Sequence, residues 1–154
     1  MNTILLLNGP NLNMLGKRDP HVYGSTDLKK IEDELRHWLH QRDYQLSSFQ
    51  SNHEGELIDT IQQSENAVAG IIFNPGAYTH TSIAIRDAIE TITTPVVEVH
   101  ISNIYAREPF RQQSYLAPVV SGQIVGFGTD GYMIAAYSLL TILEKRGEGH
   151  GEAT

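Results

Sequence analysis

Short apolar runs, each bounded by turn-forming residues, constrain this chain more than any other feature. Ile4 to Leu7 is unbroken aliphatic sequence and stops at Asn8-Gly9-Pro10, Gly70 to Phe73 stops at Asn74-Pro75-Gly76, and Val96 to Val99 begins after Pro95. A strand with one wet face would alternate apolar and polar residues. Continuous runs therefore read as strands buried on both faces, as in a parallel sheet covered on both sides. Val119 to Phe127 is a looser strand candidate and Gln45 to Phe49 a weaker one. Helical patterns lie between them. Leu28, Ile31, Leu35, Trp38 and Leu39 recur at helical spacing after the cap-like Ser25-Thr26-Asp27. Shorter patterns cover Leu57, Ile58 and Ile61, then Ile83 to Ile92 after Thr81-Ser82, and Tyr132 to Leu143 after Asp130-Gly131.

This alternation predicts an α/β fold: an open parallel sheet of about five strands, helices on both faces, right-handed crossovers and a flavodoxin-like order. The length of 154 residues and 40% hydrophobic content suit one catalytic domain over 1–146, with the polar, Gly-rich segment 147–154 expected to be disordered. Ligands in such sheets bind beyond the carboxyl ends of the strands. Asn8 to Asn13, Asn74 to His80 and His100 to Ser102 are therefore expected to converge on one crevice.

The net charge of -7 argues against general attraction to nucleic acid or an anionic membrane, while leaving room for a local basic pocket. No cysteine is present, which excludes disulfides and thiolate chemistry. The first residues lack a basic leader, and no apolar run is long enough to span a bilayer, so the expectation is a soluble, cytoplasmic protein.

Pro95-Val96-Val97-Glu98-Val99-His100-Ile101-Ser102 is the most informative stretch. Glu98 and His100 are two apart and share a face at the strand exit, where a carboxylate can fix the tautomer of an imidazole acting as general acid. The alternative is a buried structural pair. Asn74 to His80 brings amide, hydroxyl and imidazole groups to the same crevice, or is simply a strand-ending turn. The connection from Asn8 to Gly24 is longer than usual and suits a lid. On it, Arg18 beside Tyr23 would favour a tyrosinate base. Holding a phenol ionised near neutrality needs a shift of about 2 to 3 units, or roughly 3 to 4 kcal/mol. A surface arginine and a packing tyrosine are the alternative. Arg107 and Arg111 suit either an oxygen-rich anion or salt bridges.

Other signals lead away from function. Gly126-Phe127-Gly128-Thr129-Asp130-Gly131 matches a dinucleotide-loop pattern but lies at the last strand, so close helix-sheet packing is the better reading. His53-Glu54-Gly55-Glu56-Leu57 lacks the second histidine of a zinc-protease helix, and His37 and His40 fall on the polar side of the first helix. Two rival functions are a flavin- or nucleotide-binding module and a metal hydrolase built on His80, Glu98 and His100. A Schiff-base dehydratase is a third, but Lys17, Lys29, Lys30 and Lys145 all lie outside apolar strands.

Together the motifs closely resemble the type II dehydroquinase family. The resemblance is carried by Asn8-Gly9-Pro10-Asn11-Leu12-Asn13 with Leu15-Gly16, Arg18 and Tyr23-Gly24, then by Asn74 to Ser82 and Arg86-Asp87-Ala88-Ile89. Glu98 to Asn103 and Arg107-Glu108-Pro109-Phe110-Arg111 complete it, while Met14 and Asp19 read as mild variants and the tail is unmatched. The resemblance implies a cofactor-free, metal-free hydro-lyase that converts 3-dehydroquinate to 3-dehydroshikimate. That reaction is shared by the shikimate pathway of aromatic amino acid biosynthesis and by quinate breakdown. It implies Tyr23 as base, Arg18 keeping it ionised, Asn11 stabilising an enolate, His100 as acid and Glu98 orienting it. Asn74, Ile101 and Ser102 would hold the carboxylate, His80, Arg111 and Asp87 the ring hydroxyls, and Arg107 would be a loop arginine, with Asp87 reaching in from a neighbouring subunit. A dodecamer built from trimers is implied in the same way.

Overall fold

A computed structural model describes residues 2–17 and 26–152 of the chain, with side-chain surroundings as far as Gly147. Among these residues five strands form one sheet: β1 (Asn2–Asn8), β2 (Tyr44–Gln50), β3 (Gly70–Asn74), β4 (Val96–His100) and β5 (Gly122–Val125). Their order is β2-β1-β3-β4-β5. Every neighbouring pair is parallel. This is the flavodoxin-like order that the alternating pattern predicts. The helices are α1 (Leu28–His40), α2 (Glu54–Gln63), α3 (Ile83–Glu90) and α4 (Gly131–Glu152).

Alternation along the strands sorts the core into two layers. Ile4, Leu6, Ile72, Val97 and Val99 face α1 and α4, meeting Ile31, Leu35, Leu39, Ala135 and Leu139. Leu5, Leu7, Ile71, Phe73 and Val96 face α2 and α3, meeting Leu57, Ile61, Ile85 and Ile89. Each such fully buried side chain is worth about 1.5–3 kcal/mol. The weaker strand signals have a positional cause: β2 and β5 are the sheet's edges and are only partly buried, whereas β3 and β4 are buried throughout. Asp27 caps α1 by accepting from the Lys30 N–H at 2.9 Å. Ser82 does the same for α3 through the Ile85 N–H.

At the far end of the chain, regular helix continues through Gly147 to Glu152. The glycines each oppose helix by about 1 kcal/mol relative to alanine, but extending an existing helix avoids the cost of nucleating one. The glycine-rich turn before α4 behaves as a packing device. A Cβ on Gly131 would stand 3.1 Å from Val99 Cγ2, so the glycine lets the helix start close against β4.

Candidate active site

The carboxyl ends of β1, β3 and β4 open into one crevice of about 180 Å³ lined by Asn11, Asn74, His80, His100, Ile101, Ser102, Arg107 and Arg111, together with apolar residues and backbone. It is smaller than the ~300 Å³ lower bound of common ligand pockets and suits a small polar molecule. A larger, shallower hollow of about 730 Å³ lies near the opposite ends of the strands, with Thr93, Pro95 and Arg146 among its lining residues. Size alone would favour that hollow, but the convergence of imidazoles, guanidinia and amides favours the crevice.

Two close backbone approaches build the crevice wall. Gly9 donates to the Asn74 carbonyl at 2.7 Å. A Cβ on Gly9 would come within 2.6 Å of the Pro75 oxygen, so only glycine lets the first loop lie against the turn after β3. Beyond it, Asn11 takes a left-handed conformation with φ 69°, which asparagine tolerates better than most residues. The Asn11 N–H is held by Asn52 Oδ1 at 3.0 Å.

Glu98 and His100 share the α2–α3 face of β4. Glu98 is fully buried, and its Oε2 accepts from His100 Nε2. That contact leaves Nδ1 as the ring nitrogen able to serve a ligand. Oε2 also accepts from the Thr79 hydroxyl at 2.6 Å, which in turn lies 2.6 Å from the Ser114 hydroxyl. The Ser114 hydroxyl also lies 3.3 Å from Glu98 Oε2, so Thr79 and Ser114 together supply the carboxylate with hydroxyl donors. The Ser114 oxygen is anchored by the N–H groups of Leu116 and Ala117. Burial works to raise the Glu98 pKa, but the hydrogen bond and charge of His100 and the Thr79 hydroxyl outweigh it and hold it below its ordinary value.

A depressed carboxylate pKa contributes stability that is complete above the unfolded value and is lost as pH falls through the folded one. Acidification below about 4.5 is therefore expected to lower the urea midpoint more steeply in the wild type than in Glu98→Gln. Parallel slopes in the two proteins would remove Glu98 from the acid response.

His80 is half-buried and its Nδ1–H donates to the Gln113 carbonyl at 2.8 Å. Desolvation is the main cause pushing its pKa down. The Gln113 carbonyl opposes this, and the charges of His100, Arg111 and Arg107 reinforce it. A neutral His80 leaves Nε2 able to accept from a ligand hydroxyl. Arg111 lines the crevice while its Nε donates to Glu108 Oε2 at 2.6 Å. Arg107 has no ion pair among the described residues. Among the described residues no carboxylate belongs to the lining, so an acidic protein presents a local site for an oxygen-rich anion.

The segments after β1, β3 and β4 thus bring together Asn11, Asn74, His80, His100, Ile101, Ser102, Arg107 and Arg111, with Glu98 behind His100. Asp87 does not join them and stands exposed on α3. Arg18 and Tyr23 lie outside the described residues. Two hydroxyls of the Asn74–His80 segment are spent on protein: Tyr78 donates to the Asn52 carbonyl and Thr79 to Glu98. Sequence reasoning missed Ser114 and Tyr132. Tyr132 is fully buried at the start of α4, between the side chains of Asn8 and Asn74.

The model of one family, dehydroquinase class II, matches residues 2–140. This chain belongs to that family. Among its relatives, the 3-dehydroquinate dehydratase of Anoxybacillus flavithermus is 57% identical over 148 residues, 96% of this chain and all of that one. The catabolic 3-dehydroquinase of Penicillium rubens is 50% identical over 96% of this chain and 95% of its own. In three dimensions the chain resembles the type II dehydroquinase of Butyrivibrio crossotus, with a TM-score of 0.86 at 44% identity, covering 90% of this chain and 97% of that structure. Family membership makes the chain a hydro-lyase, and the fold its motifs predict is the family's fold.

Proposed function

We propose that this enzyme eliminates water reversibly from 3-dehydroquinate to give 3-dehydroshikimate through an enolate. The observation that carries the reading is the donor-rich crevice into which His100 faces with Glu98 behind it, in a chain of this family. Tyr23, ionised beside Arg18, removes a proton from the carbon next to the ketone. The negative charge moves to the ketone oxygen, where Asn11 stabilises the enolate directly or through water. Collapse of the enolate expels the hydroxyl, which takes a proton from His100 and leaves as water. Glu98 accepting from Nε2 keeps the ring oriented for that transfer.

Asn74 and the backbone N–H groups of Ile101 and Ser102 hold the substrate carboxylate, while His80 and Arg111 bind ring hydroxyls. Arg107 closes the crevice from its loop. Asp87 reaches a neighbour's crevice, which its exposed place on α3 supports. The assembly we propose is a cytoplasmic dodecamer of trimers, each chain one catalytic domain. The exposed Tyr105 and Phe110 on the segment bordering the crevice favour cover by another copy.

The test follows the near-ultraviolet absorbance of the conjugated product when purified protein meets 3-dehydroquinate. Absorbance is expected to grow, and borohydride added with substrate is expected to leave activity intact, because no lysine lines the crevice among the described residues. A protein inert under conditions where a known dehydratase works would refute the proposal. Inactivation by borohydride would replace the enolate route with an imine.

A further inference from the structure

We propose that Tyr132 is a positioning residue that fixes the amide of Asn74 for the substrate carboxylate, a role that rests on the dehydratase reading above. The Tyr132 hydroxyl donates to Asn8 Oδ1 at 2.6 Å. Its one proton is thereby spent, so it must accept from Asn74 Nδ2, which lies 2.9 Å away. The other end of the Asn74 amide is fixed independently: Oδ1 accepts from the Gly76 N–H at 3.1 Å. A flipped amide would set N–H against N–H at Gly76 and carbonyl oxygen against a hydroxyl with no proton left to give. Both contacts enforce one orientation. It leaves the second Nδ2 proton as a donor, and Asn74 lines the crevice.

The arrangement carries a cost that packing alone does not explain. Asn8 Nδ2 is buried with no hydrogen-bond partner among the described residues. An apolar side chain at position 8 would avoid an orphaned donor, yet it would also remove the acceptor that commits the Tyr132 proton. With that acceptor gone, the phenol could rotate its proton toward Asn74 and stop accepting from it. The orphan is thus the consequence of a network whose output is the polarity of Asn74. Tyr132 reaches it from α4, linking the helix to the exits of β1 and β3. Burial raises the phenol pKa, which keeps the hydroxyl neutral over the working range and preserves this donor-acceptor sense.

The experiment compares wild type, Tyr132→Phe and the double variant Asn8→Leu/Tyr132→Phe, reading kcat, KM and thermal midpoint. It also reads competitive inhibition by quinate and by its methyl ester, which lacks the carboxylate charge. Tyr132→Phe is expected to raise KM about tenfold with kcat within about twofold, and to reduce the preference for quinate over the ester by a similar factor. The double variant removes the orphaned amide and is expected to regain thermal stability while the carboxylate preference stays reduced. A preference that is unchanged in Tyr132→Phe, or that returns with stability in the double variant, would overturn the proposal. A wild type inert toward 3-dehydroquinate would instead defeat the functional reading on which it rests.

Discussion

His100→Gln is expected to lower kcat by about 10²- to 10⁴-fold, the usual contribution of a placed general acid, while the thermal midpoint stays close to wild type. Glutamine is the informative replacement because its amide N–H can still donate to Glu98, which is fully buried and accepts from His100 Nε2. What it lacks is a second ring nitrogen that can pass a proton to the departing hydroxyl. His100→Ala should lose comparable turnover but destabilise the protein as well. It leaves the Glu98 carboxylate in the interior without its ring partner, at a cost of about 3–5 kcal/mol, or roughly 6–20 °C in a chain of this size. The two variants separate chemistry from folding. Steady-state turnover of 3-dehydroquinate and thermal melts of both proteins decide it, and a His100→Gln enzyme retaining more than about a tenth of wild-type kcat would remove His100 from the proton transfer.

Why Glu98 and His100 were legible in the sequence, and Thr79 and Ser114 were not in their roles, comes down to the reach of local periodicity. Two ionisable residues two apart in a strand otherwise built from valine contradict burial unless they are paired. The period of the strand also fixes the face they share. A threonine in a turn carries no such contradiction. Its hydroxyl goes to Glu98 only because the turn after β3 folds over β4. Ser114 comes from a later loop, and nothing near it in sequence marks that destination. The location of the crevice was legible because parallel topology alone sends ligands to the strand exits, and Asn11, Asn74 and His100 follow or end β1, β3 and β4.

Tyr132 was concealed for a different reason. It lies in a helix otherwise rich in alanine and leucine, where an aromatic residue reads as core, and most of its surface is indeed core. Only the hydroxyl is functional in our reading, and its partners lie 124 and 58 residues away in sequence. The apparent dinucleotide loop before α4 shows the reverse. The pattern is conspicuous, yet Gly131 is needed for close approach to Val99 and no phosphate need be invoked. Sequence pattern reports periodicity and backbone demands well, but it does not report which way a hydroxyl or amide is turned.

Tyr23→Phe and Arg18→Gln should distinguish the proposed base from the group proposed to activate it. Removing the phenol oxygen is expected to lower kcat by about 10²- to 10⁴-fold at every pH, because no ionisation can restore a base that is gone. Removing the guanidinium leaves the base in place but lets its pKa return toward ~10. The sign follows from the active form being the phenolate: activity rises with pH through the phenol pKa, so the ascending limb of kcat/KM moves upward by about 2 to 3 units in Arg18→Gln. That variant is therefore feeble near neutrality and recovers in alkali, whereas Tyr23→Phe does not recover. Each profile is measured as kcat/KM against pH with 3-dehydroquinate. An unshifted limb in Arg18→Gln would mean that other charges, Arg107 and Arg111 among them, keep the phenol ionised. Substantial turnover by Tyr23→Phe would assign the base to a group lining the crevice. The group there best placed to take a proton is His80, held neutral by desolvation and by its cationic neighbours, with Nδ1 engaged by Gln113 and Nε2 still open.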